Sequence, residues 1–252
     1  MDLAMATAAQ AYKVVMRLIH TEFPKFEAVP KRTSKLHQFI GWVCNAPWFG
    51  KHRINPGYMT AFYTAFNGKT AYPINSNPIT DWEVFVHEFM HLKQERRWTP
   101  LVFQALYLLG IPAYFAVAAA LAILCIPLWI LVVPWWISLL VLGAGAVLSS
   151  PIPFGYWRRR WELQAYGVSI ALRYWLRGEV DDAYLEWSAQ HFTTSAYFWM
   201  WPYGRSAYKR LERARADAVS GATFKNRQYG DFLVKLHREL VALELTSVRY
   251  AL

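Results

Sequence analysis

Trp82-Glu83-Val84-Phe85-Val86-His87-Glu88-Phe89-Met90-His91-Leu92 runs on to Trp98 without a Gly or Pro. That continuity predicts one helix. Pro78 to Glu83 reads as its start: Thr80 and Glu83 match a capping box, and Asp81 suits the positive end of the helix dipole. Pro100 marks the break beyond its end. Inside it, His87-Glu88-Phe89-Met90-His91 has the HExxH spacing of zinc hydrolases. On a helix, residues four apart lie one turn above each other on the same face. Two imidazoles so placed can grip one zinc ion, and the Glu beside the first is set to act as general base on a water. Alone, the pentapeptide also fits two surface histidines on an ordinary helix.

Zinc needs a third protein ligand and an open position. In the extended form HExxHxxGxxH that ligand is a nearby His. Here Gln94 stands at the Gly position and Arg97 at the His position, which excludes that class. A Glu on a separate downstream helix is the alternative, and Glu162 is the best candidate. It lies in a helical-looking stretch from about Trp157 to Leu176 that stops at Gly178. Small Ala165, one turn on, would let the two helices approach closely. The plainer reading of Glu162 is an ion-pair partner for the neighbouring arginines.

Between the two stretches, Trp98 to Trp157 carries no Asp, Glu, Lys, Arg or His. A bilayer-crossing helix needs about 20 apolar residues. The run holds two such lengths, about 101–124 and 128–148, with Cys125-Ile126-Pro127 as a turn. The expectation is a two-helix transmembrane hairpin at about 101–149. Lys93, Arg96 and Arg97 precede it and Arg158, Arg159 and Arg160 follow it, which points to both flanks and the active site on the cytoplasmic side. These flanks also suit anionic headgroups. A hairpin returns its ends to one side, so His87, His91 and Glu162 can meet.

Composition agrees with one core-forming domain over residues 1–252. Hydrophobic residues make up 55% and aromatics 17%, and the net charge is +10. No nucleic-acid motif accompanies that charge, so an anionic membrane surface is the expected partner and nucleic acid is not. Cys44 and Cys125 form no disulfide framework. No signal peptide is apparent. Ala8 to Ile19 reads as an amphipathic helix for core packing, and Phe232 to Leu245 as a closing one. Arg205 to Arg215 is a basic, helix-like run.

The order HExxH, apolar hairpin, Glu162 resembles the membrane-embedded gluzincin metallopeptidases of the Ste24 and HtpX type, over roughly residues 78 to 176. The resemblance implies zinc on His87, His91 and Glu162, with Glu88 as general base. Tyr166 departs from it, standing where that pattern has Asp. His91-Leu92-Lys93-Gln94 and Glu162-Leu163-Gln164-Ala165-Tyr166 are also similar to small predicted peptidases of phage and bacteria with HExxHxxQ and a later ExxAY. Both likenesses imply a zincin-like α+β domain, mainly α with a small β element. Zincins of this kind resemble one another in an edge strand before the motif helix, which pairs with an extended substrate. Gly68 to Ile74 reads as a turn and short strand, and Pro73 suits an edge.

Downstream, His191 and Tyr197 are candidates to stabilise an oxyanion; a satisfied His and a packing Tyr are the plainer readings. The leading expectation is therefore a membrane-anchored, Zn2+-dependent metalloprotease acting on peptide or protein substrates. Two rivals stand beside it. One is a non-enzymatic integral membrane protein with a degenerate HExxH, in which Glu162 is distant or crowded. The other is a different zinc amidase with Cys44 as ligand, although the residues around Cys44 do not resemble the deformylase motif.

Overall fold

The computed structural model describes residues 3–45, 57–61, 63–66, 68–103, 151–194, 201 and 203–250. The candidate site is carried by two long helices that pack face to face. Helix α4 (Trp82–Trp98) bears the HExxH motif. Helix α5 (Pro151–Arg177) bears Glu162. Ahead of α4 come α1 (Leu3–Glu22), α2 (Lys35–Cys44) and the short α3 (Tyr58–Ala61). After α5 come α6 (Asp182–Thr193), α7 (Gly204–Val219) and α8 (Gly230–Ala242). Strands β1 (Glu27–Pro30), β2 (Thr64–Phe66) and β3 (Lys69–Tyr72) form one small sheet.

Apolar residues at helical spacing decide what is buried. In α1, Ala11, Val14, Val15 and Ile19 form the inner stripe, as the heptad-like spacing predicts. In α8, Phe232, Leu233, Leu236 and Leu240 do the same. Between them lies α4, whose Phe85 and Phe89 are fully buried. The Phe89 ring meets Phe23 edge-on at 5.6 Å and lies 4.2 Å from Phe232. Tyr12 of α1 and Tyr63 beside β2 both meet Phe85 edge-on. One face of α4 is thus anchored in the core, and its opposite face is held against α5. Ala165 is completely buried, so a small side chain does stand where α5 meets its neighbours. Gly178, at φ 78°, ends α5 by donating its N–H to the Tyr174 carbonyl at 2.7 Å, the left-handed stop that glycine makes cheaply.

The sheet corrects the strand expectation. β3 pairs in parallel with β1 and antiparallel with β2. It is the middle strand of three, so its own backbone groups are already engaged. The edges are β1 and β2, and Pro73 falls just past the strand end rather than on an edge. The helix start also differs from the capping-box pattern. Asp81 is the N-cap residue of α4 and makes no side-chain cap bond. The Thr80 hydroxyl instead donates to the Asn77 carbonyl, and Asp81 accepts from the Tyr63 hydroxyl at 2.9 Å.

The transmembrane hairpin is corrected as well. No helix among the described residues is long and apolar enough to cross a membrane. The longest, α5 at 27 residues, carries Arg158, Arg159, Arg160, Glu162, Arg173 and Arg177, and charge at a bilayer centre is costly. The expected spans 101–124 and 128–148 lie outside the described residues, apart from 101–103. The structure is mainly helical with a three-stranded sheet. The assignment as an integral two-span membrane protein with a cytoplasm-facing site is not retained. Two of the cations expected to flank the hairpin have protein partners. Lys93 pairs with Glu22 at 3.0 Å, and Arg96 donates to the Glu22 carbonyl at 3.2 Å.

Candidate metal centre

His87 and His91 occupy consecutive turns of α4, and their rings lie 5.2 Å apart, nearly perpendicular. Both are buried, at 9% and 5% exposure, and Glu88 between them is at 6%. Each of the three offers a ligand atom within 4.8 Å of the others, and this buried group could hold a metal ion. It is the one such group of three or more among the described residues.

Glu162 closes the arrangement from α5. Its Oε2 lies 3.6 Å from His87 Nε2 and 3.7 Å from His91 Nε2, and its side chain is 1% exposed. Zinc bound at about 2.0–2.1 Å to tetrahedral ligands sets neighbouring donor atoms about 3.3 Å apart. The two contacts are a few tenths of an ångström wider, so a slight inward movement would meet that spacing. Two carboxylates therefore stand near the imidazoles. Glu162 is nearly equidistant from both Nε2 atoms, and Glu88 lies within 4.8 Å of both histidines. Glu162 therefore adds a second buried carboxylate to the His87, Glu88 and His91 group.

The charges agree with a cation site. Burial alone would lower the His91 imidazolium, but the Glu162 carboxylate beside it reverses the effect and raises the ring to about 9. Burial would raise Glu162, and the two histidines hold it well below the usual carboxylate range. A proton on His91 Nε2 thus occupies the position that a metal would take, and the two compete for one lone pair.

The ring nitrogens turned away from Glu162 have partners of their own. His87 Nδ1 is 3.0 Å from Ser169 Oγ. His91 Nδ1 is 2.9 Å from Gln94 Oε1. Gln94 enters the sequence reading through the HExxHxxQ likeness, with no role assigned, and Ser169 does not enter it. Gln94 carried a usable signal, lying three residues after His91 on one helix face. Ser169 carried a fainter one, two turns after Glu162. Tyr166, where the resemblance implies Asp, and His87 have rings 5.1 Å apart and nearly perpendicular.

Of the two oxyanion candidates, His191 sits on α6, 6.5 Å ring to ring from Tyr166. Its Nδ1 donates to the Trp187 carbonyl at 2.7 Å. Tyr166 is thus a ring neighbour of both His87 and His191. Tyr197 lies outside the described residues. Cys44 closes α2. Comparison with known protein families, curated proteins and solved structures found no match to this chain.

Proposed function

We propose that the chain is a zinc-dependent peptidase, with His87, His91 and Glu162 as the metal ligands and Glu88 as general base. The observation that carries this reading is the approach of Glu162 Oε2 to both Nε2 atoms at 3.6 and 3.7 Å. The residues come from helices separated by a long stretch of sequence, and their convergence is not an outcome of the HExxH spacing. Two imidazoles and one carboxylate form a donor set typical of catalytic zinc, leaving a position open. Zinc bound there would supply Lewis-acid polarisation of a peptide carbonyl and a lowered pKa for a coordinated water.

The chain's own residues do the remaining work. His87 and His91 would hold the metal through neutral Nε2 atoms, and Glu162 would neutralise part of its charge. The buried Glu88 carboxylate would serve as general base, accepting a proton from water and passing one to the departing amine. Burial of all four side chains strengthens each of these charge interactions relative to water.

Two measurements on the purified protein test the proposal. Elemental analysis should find one zinc per chain, lost in His87→Ala. Glu88→Gln should keep that zinc and lose peptide-hydrolysing activity by about 10²–10⁴-fold, the usual range for a general base. A Glu88→Gln protein that cleaves at the parental rate refutes the mechanism. The degenerate-motif reading expects a distant or crowded Glu162, and the observed distances favour the metal site over it.

A further inference from the structure

We propose that Gln94 and Ser169 are positioning residues that fix both imidazoles with Nδ1 protonated and Nε2 turned to the metal. This rests on the metal-site reading above and deepens it. A neutral imidazole has one N–H and one lone pair. If the lone pair is to serve the metal, the N–H must sit on the other nitrogen and find an acceptor.

At His91 the choice is forced by three contacts. Gln94 Nε2 donates to the Trp161 carbonyl at 3.1 Å and to Gln164 Oε1 at 3.0 Å. A backbone carbonyl only accepts, so the Gln94 amide cannot be turned over without setting two oxygens together. Gln94 Oε1 must therefore face His91, and His91 must donate from Nδ1 across the 2.9 Å contact. Gln94 is 4% exposed, which leaves it little freedom to leave this arrangement.

At His87 the same logic runs through a hydroxyl. Ser169 Oγ lies 3.3 Å from the Ala165 carbonyl, four residues earlier in α5, and 3.0 Å from His87 Nδ1. The single hydroxyl proton goes to the carbonyl, so the oxygen accepts from His87 Nδ1–H. Both rings then direct Nε2 at Glu162. Helix α5 has a double role: it brings the third ligand and, through Ser169 and the Trp161 carbonyl, orients the other two.

The test uses the full chain. Zinc affinity is measured by chelator competition in the parent, Ser169→Ala, Ser169→Thr and Gln94→Leu, with folding checked by circular dichroism. Histidine-ring ¹H–¹⁵N spectra report which nitrogen carries the proton. Ser169→Ala and Gln94→Leu should each weaken zinc binding about 10–100-fold. Ser169→Ala should also lose the slowly exchanging Nδ1 proton of His87. Ser169→Thr keeps a hydroxyl able to bond the same carbonyl and should stay close to the parent. Equal affinity in Ser169→Ala and the parent overturns the positioning role. A Ser169→Thr protein as weak as Ser169→Ala overturns it too, because the hydroxyl is then irrelevant. A parent that takes up no zinc is a separate outcome, which overturns the metal reading itself.

Discussion

His91 and His37 are both buried, each 5% exposed, yet their surroundings drive them in opposite directions. Burial pushes both rings toward the neutral form. At His37 the nearby Lys31 ammonium adds to that push, and the ring falls to about 4. At His91 the Glu162 carboxylate, helped by Glu88 and Gln94, outweighs burial, and the ring rises to about 9. His37 Nδ1 is held 2.6 Å from the Tyr58 hydroxyl, and the fully buried Lys31 donates to the Tyr58 carbonyl at 2.6 Å. One region accepts a positive charge at histidine and the other refuses it. The lesson is that burial does not by itself decide a histidine's charge. The sign of the charge brought beside it does.

The comparison breaks most completely at Glu162. Glu162→Gln keeps the shape and removes the charge. Loss of a direct ligand should exceed the 10–100-fold effect of an outer partner, so zinc affinity should fall by at least ~100-fold. In the metal-free protein His91 should then titrate well below about 9, because the main opponent of burial is gone while Glu88 and Gln94 remain. Calorimetric zinc titration and an NMR pH titration measure the two effects. A His91 that still titrates near 9 in the variant would show that Glu162 is not its partner.

Metal removal comes next in size. Zinc at a hundred times its Kd should stabilise the fold by about 2.7 kcal/mol. For a chain of this length that corresponds to roughly 5–11 °C in Tm. A chelator should lower the parent's Tm by that amount and leave Glu162→Gln unmoved. Without metal, the two histidines also set opposite pH limits. The folded pKa of His91 is raised, so its stabilisation is full below about 6.5 and is lost as pH rises through about 9. The folded pKa of His37 is depressed, so its contribution holds above about 6.5 and is lost as pH falls through about 4. Urea unfolding across that range should give a stability maximum between the two limits.

The smallest effect sharpens the other half of the comparison. Lys31→Met removes the cation while keeping similar volume. His37 should rise from about 4 toward its ordinary value but remain below it, since burial is the larger cause. A His37 pKa unchanged in this variant, read by NMR, would leave burial as the only influence.

Much of the helical framework was legible in advance because it depends on neighbours along the chain. The uninterrupted run to Trp98 and the stop at Gly178 are local signals, and the observed ends of α4 and α5 lie at Trp98 and Arg177. The amphipathic character of α1 and α8 was legible from periodicity. The errors arose where a local pattern was read as a contact. Thr80 and Glu83 have the capping-box spacing, but the Thr80 hydroxyl is taken by Asn77. Gly68 to Ile74 contains a strand, but only pairing with β1 and β2 puts it in the middle of the sheet. The transmembrane hairpin rested on hydropathy, and no described helix meets its requirement.

By itself the sequence determined the spacing of His87, Glu88 and His91 on one helix face, since 3.6 residues per turn leaves no choice once the helix forms. It also singled out Glu162 as a candidate by residue type and by its helical surroundings. Only the tertiary structure decided that Glu162 stands within 4 Å of both imidazoles. The same packing set Gln94 and Ser169 behind the rings and put Glu162 rather than a cation beside His91. Those outcomes depend on how α5 docks against α4, and the docking is fixed by side chains spread across the core rather than by any local motif.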